Sequence, residues 1–123
     1  MDGSRLVFVI EDDDGVRAST RALLESSGFS VRTFASAEEL LDAGSARDAG
    51  CLVLDQHLPG ISGIELLESL RADGHHTPAI MVTSNGTQFG ARAASAGVTV
   101  VLRKPLTGEA LEDWLKRLLP DPH

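Results

Sequence analysis

Four short runs of branched aliphatic residues constrain this chain more than any other feature: Leu6 to Ile10, Cys51 to Leu54, Ala79 to Val82 and Val98 to Leu102. A fifth, more polar run spans Phe29 to Phe34. Short segments that are apolar almost throughout suit strands covered on both faces, as in a parallel sheet. Helical patterns separate them. Val16, Thr20, Leu23, Leu24 and Ser27 share one face, and Gly28 follows where a helix end favours a residue without Cβ. Ser36-Ala37-Glu38-Glu39 and Ser62-Gly63-Ile64-Glu65 both fit the S-x-x-E capping box, each followed by leucines. Leu111, Trp114, Leu115 and Leu118 form the stripe of a last helix, with Pro120 and Pro122 beyond it. Trp114 on that stripe reads as packing and not as a binding platform. Five strands alternating with five helices predict an α/β fold: a flavodoxin-like, doubly wound, five-stranded parallel sheet of order 2-1-3-4-5. With 123 residues and no internal repeat, the chain reads as a single domain over 1–123, its core at about 5–119.

Charge and cysteine content remove several function classes. The formal charge of −7 repels a polyanion, so direct nucleic-acid binding is not expected. Cys51 is the only cysteine, which excludes an intrachain disulfide and a cysteine-based zinc site; it reads as a small buried hydrophobe. No apolar stretch approaches the ~20 residues of a membrane span, and the start is too short in apolar residues for a secretory leader. A cytoplasmic location is the expectation.

In a parallel doubly wound sheet, function gathers beyond the C-terminal strand ends. Strand one runs into Glu11-Asp12-Asp13-Asp14, strand three ends at Asp55, strand four at Thr83-Ser84 and strand five at Lys104-Pro105. These groups then meet on one rim. Like charges ~4 Å apart repel by about 1 kcal/mol in water and about 4 kcal/mol at an effective dielectric near 20. Glu11, Asp12 and Asp55 therefore call for a counter-charge, and Mg²⁺ suits a few carboxylates, water and phosphate oxygens. Asp14 is assigned to capping the helix that follows, while Asp13 stands between capping and the cluster. Asp55 has no helix to cap, because the next cap candidate, Ser62, lies seven residues on. An ionised carboxylate can act as a nucleophile toward phosphorus without a base. The transferred group then needs cations and hydroxyls around its oxygens, which Lys104 and Thr83 offer.

The order of an acidic pair, Asp-x-x-x-Pro-Gly-x-Ser-Gly over Asp55 to Gly63, then Thr83, then Lys104-Pro105 resembles the receiver domains of bacterial two-component response regulators. The stretch from Leu54 to Gly63 is the most specific part, and it looks most like receivers that precede helix-turn-helix output domains. The resemblance implies that Asp55 is the phosphoacceptor. It implies that Glu11, Asp12, Asp55 and the backbone carbonyl of His57 hold Mg²⁺ (or Mn²⁺). Thr83 and Ser84 become the switch hydroxyls, Lys104 the phosphate-contacting lysine and Pro105 a cis-proline. The implied donor is a sensor histidine kinase or phosphotransfer protein. The implied receiver of the signal is an output domain or partner protein at the face made by the fourth helix, fifth strand and fifth helix. A homodimer is left open. Such a chain catalyses its own phosphorylation and dephosphorylation and is not otherwise an enzyme.

Three positions depart from the family pattern. Glu11 stands where Asp is usual, one methylene further out. Val101 replaces the Phe or Tyr whose ring normally follows the switch hydroxyl inward. The segment from Thr83 to Gly97 is about one residue short and holds Gly86 and Gly90, which predicts a short or mobile fourth helix, with phosphorylation ordering residues 84–92. Phe89 is a candidate to take over part of the missing ring's packing. Val101 and the altered fourth helix keep a phosphorylation-independent pseudo-receiver as the alternative, whereas metal binding is expected to survive Glu11. A haloacid-dehalogenase-type phosphatase would place a second aspartate at position 57, where this chain has His57. Flavin binding fails because four carboxylates after strand one would repel its phosphate.

Overall fold

The structure, a computed structural model, describes residues 5–44, 46–84, 90–104 and 107–119. Five strands pair in parallel in the order β2-β1-β3-β4-β5: β1 Leu6–Ile10, β2 Ser30–Phe34, β3 Cys51–Asp55, β4 Ala79–Thr83 and β5 Val100–Arg103. Between them run α1 Asp14–Ser26, α2 Ala37–Ala43, α3 Gly63–Ala72, α4 Gly90–Ser95 and α5 Gly108–Leu118. The expected strand order and alternation are observed. β5 is shifted: Val98 and Thr99 precede it, held by Val98 N–H to Ala93 O at 3.0 Å and Thr99 N–H to Ala79 O at 2.8 Å. Those bonds tie the α4 end to β4 before the ladder begins, so the apolar run starts earlier than the strand.

Alternation along the strands divides the core into two layers. Phe8, Ile10, Leu52, Leu54 and Met81 face α2, α3 and α4 with Leu40, Leu66, Leu67 and Leu70. Val7, Val9, Cys51, Val53, Ile80 and Val82 face α1 and α5 with Leu24, Leu111 and Leu115. Each fully buried large aliphatic contributes about 1.5–3 kcal/mol, so both layers are needed to offset chain entropy. Trp114 and Leu118 are partly buried against the second layer, and the Arg117 guanidinium lies 5.2 Å from the Trp114 ring centroid.

The helix starts follow the sequence with one correction. Ser36 and Ser62 cap α2 and α3, and Ser62 with Glu65 forms the full reciprocal capping box. For α1 the cap is Asp13 and not Asp14: Asp13 Oδ1 accepts from Val16 N–H at 2.9 Å. Asp14 lies one step inside, in the first turn, where it pairs with Arg17 at 2.5 Å. Only the residue with extended backbone just before the helix can turn its oxygen back to the free N–H groups.

Candidate functional site

Register decides what meets at the rim. Ile10 pairs with Leu54, so Glu11 comes level with Asp55 as both strands end. Glu11 is held there by its own N–H to Phe34 O at 3.0 Å. The Lys104 N–H continues the last ladder to Thr83 O at 2.9 Å, fixing the lysine one residue past β5.

The side chains converge. Glu11, Asp12 and Asp55 each offer an oxygen, all within 4.8 Å of one another. Lys104 Nζ donates to Asp55 Oδ2 at 2.8 Å, and the His57 backbone N–H donates to Asp55 Oδ1 at 2.9 Å. Asp55 is 4% exposed and Thr83 fully buried, whereas Asp12, His57, Ser84 and Lys104 reach solvent. The Thr83 Oγ1 lies 3.1 Å from His57 Nε2, a contact between two strand ends that the sequence did not suggest. Val101 is half-buried and packs against the α3-side layer. Pro105, Phe89 and most of the 84–92 segment, residues 85–89, lie outside the described residues.

The electrostatics follow from this crowding. Burial, with the charge of Asp55 adding to it, pushes the Glu11 carboxyl above its ordinary value, although the Asp13 N–H bond at 3.0 Å to Glu11 Oε2 acts the other way. For Lys104, burial lowers the pKa, but the hydrogen bond and charge of Asp55, with Glu11 and Asp12 behind, outweigh it and raise the ammonium above 10.5. Three oxygens on hard carboxylates, one of them resisting ionisation, form a donor set suited to Mg²⁺ or a similar cation.

Several residues build this site in ways that the sequence did not signal. Arg17 Nη1 donates to the Glu11 carbonyl at 2.9 Å, tying the acidic turn to α1. Gln56, 5% exposed, binds Val82 O through its N–H at 3.0 Å and accepts from Ile64 N–H at 2.9 Å through Oε1. It thereby joins β3, β4 and the start of α3. At Gly63 a Cβ would stand 2.7 Å from Asp55 O and 3.1 Å from Gln56 Cα, so only glycine lets α3 come this close behind the aspartate. The rim opens into a cleft of about 640 Å³ between α1 and α5, floored by Val9, Val53 and Val82.

The comparisons with known proteins agree with this geometry. Residues 7–116 match the family described as response regulator receiver domain. The chain is 45% identical over 106 residues to the transcriptional regulatory protein FixJ of Azorhizobium caulinodans, covering 85% of this chain and 50% of that one. It is 39% identical over 114 residues to the transcriptional regulatory protein TdiR of Thauera aromatica, covering 92% and 50%. The chain thus spans about half the length of the curated relatives it matches. Among solved structures, the response regulator StyR superposes with a TM-score of 0.84 at 41% identity, over 93% of this chain and 58% of that one. A CheY-like receiver domain protein of Methanospirillum hungatei gives 0.86 at 27% identity, over 94% and 93%. A parallel sheet of this order with an acidic rim, matched over most of its length by that family, leaves one assignment: the chain belongs to the response regulator receiver domains of two-component signalling.

Proposed function

We propose that Asp55 accepts the phosphoryl group, and that the Lys104–Asp55 contact at 2.8 Å beside the three-carboxylate cluster is the observation that carries this reading. The donor is a histidine kinase or phosphotransfer protein. As the Asp55 oxygen–phosphorus bond forms, the phosphorus–nitrogen bond of the donor imidazole breaks, and that nitrogen keeps the electron pair. The His57 N–H orients one Asp55 oxygen, leaving the carboxylate edge to be shared between Lys104 and the entering group. Lys104 then follows the charge onto the phosphoryl oxygens, joined by the Thr83 or Ser84 hydroxyl. Glu11, Asp12, Asp55 and the His57 carbonyl would hold Mg²⁺ (or Mn²⁺), which when bound offsets the carboxylates and takes phosphoryl oxygens. The resulting dianion favours a second arrangement of the rim and changes the affinity of the α4–β5–α5 face for an output domain or partner protein.

The test is incubation with acetyl phosphate and Mg²⁺, followed by intact mass. One phosphoryl adduct is expected, dependent on the divalent cation and absent in Asp55→Asn. No adduct in the wild type, or an adduct that survives Asp55→Asn, would overturn the reading and return the chain to a phosphorylation-independent module.

A further inference from the structure

His57 touches the site twice: its backbone N–H binds Asp55 Oδ1 at 2.9 Å, and its ring Nε2 lies 3.1 Å from Thr83 Oγ1. Thr83 ends β4 and is fully buried, with its carbonyl bound by Lys104 N–H at 2.9 Å. A threonine so anchored redirects its hydroxyl by changing χ1 and not by moving its backbone. In either tautomer of the imidazole, the contact with His57 holds Oγ1 in one of those rotamers. The ring itself is on the surface, in the loop between β3 and α3. Val101, by contrast, has no ring to follow the hydroxyl inward.

We propose that the His57 imidazole holds the Thr83 hydroxyl at rest and releases it when Asp55 is phosphorylated, so that the exposed β3–α3 loop reports the state of the site. This rests on the phosphoacceptor reading above. The hydroxyl is a shared resource: bound to His57 it is turned from the phosphoryl oxygens, and bound to them it leaves the ring without that contact. His57 is a positioning residue here, acting through Thr83.

The experiment measures beryllofluoride affinity in the presence of Mg²⁺ for the wild type, His57→Phe, His57→Gln, Thr83→Val and the double variant His57→Phe/Thr83→Val, with ¹⁵N NMR of the imidazole. Phenylalanine keeps the bulk and loses the nitrogen; glutamine restores a hydrogen-bonding end. A neutral hydrogen bond of ordinary net strength corresponds to about 2- to 10-fold. His57→Phe should therefore bind the mimic about 2- to 10-fold more tightly, His57→Gln should fall back toward the wild type, and the gain should vanish in the Thr83→Val background. The His57 Nε2 resonance should move when the mimic binds. If the mimic binds with shifts around Asp55 while Nε2 stays still and His57→Phe binds equally well, the latch is wrong and the phosphoacceptor reading stands. An equal gain with and without the Thr83 hydroxyl also overturns the latch, because His57 then acts through bulk alone. Failure of the wild type to bind the mimic, with no shifts near Asp55, removes the reading and the latch together.

Discussion

Glu11 pulls against the fold at neutral pH. Its carboxyl is pushed above the ordinary 4.5 by burial and by Asp55, so the folded state holds that proton more tightly than the unfolded chain does. Folding is therefore favoured below that value, and this contribution is lost as pH rises through the raised one. Glu11→Gln, which can still accept from Asp13 N–H, should raise the melting temperature near neutral pH when no divalent cation is present. The gain should fade below pH 4.5. In Mg²⁺ the order should reverse, because the wild type gains a ligand charge. Thermal melts across pH, with and without Mg²⁺, check all three. Equal melting curves at every pH would mean that the carboxylate is not under strain. At this scale the sequence was partly legible. Charges at strand ends announced Glu11, Asp12, Asp55 and Lys104, because a polar residue leaving an apolar run needs a reason. The bond between His57 and Thr83 was not legible, since it joins two strand ends through a rotamer that no spacing encodes.

At the scale of elements, the junction of β3 and α3 positions the aspartate. Ser62 caps the helix and Gly63 lets it approach the backbone of Asp55 and Gln56. These two neighbours should separate in their effects. Ser62→Ala removes a cap and should cost about 1 kcal/mol, within the usual 0.5–2 range, while leaving Mg²⁺ affinity near wild type. Gly63→Ala forces backbone apart and should cost about 1–3 kcal/mol with a clear loss of Mg²⁺ binding. Urea unfolding and a Mg²⁺ titration read the two quantities independently. Similar Mg²⁺ affinity in both variants would show that the close approach does not set the aspartate. The motif around Ser62 made the helix start readable in sequence. Gly63 was visible only as a letter in that motif, because the need for it arises from β3 lying behind the helix. A short or mobile fourth helix was expected from Gly86 and Gly90, since glycine weakens a helix interior; the described part of α4 runs Gly90–Ser95, and residues 85–89 before it lie outside the described residues.

For the whole molecule, the central strand offers a probe of cooperativity. Cys51 is fully buried in β3, and burial pushes its thiol up to about 12. A thiol reagent should therefore label it only through global opening, and its labelling rate should follow the unfolding equilibrium measured in denaturant. Fast labelling under native conditions would reveal a local route into the sheet. The two-layered core makes a further expectation. Leu24 belongs to the α1–α5 layer and Leu67 to the α3 side, and the sheet separates them. Leu24→Ala and Leu67→Ala should each cost about 2–5 kcal/mol. In the double variant the costs should add within about 0.5 kcal/mol, and coupling well above that would mean that the sheet transmits strain between its faces.

If the layers are independent in this way, the consequence is one of heredity. The valine-rich side under α1 and α5 can accumulate substitutions, and each need be compensated only by a neighbour on that side. A lineage can then remodel the outer surface of α1 and α5, and with it the company the protein keeps, without reopening the negotiated fit beneath α3 and α4. Two histories of change can run through one gene, meeting only at the rim where Glu11 and Asp55 stand.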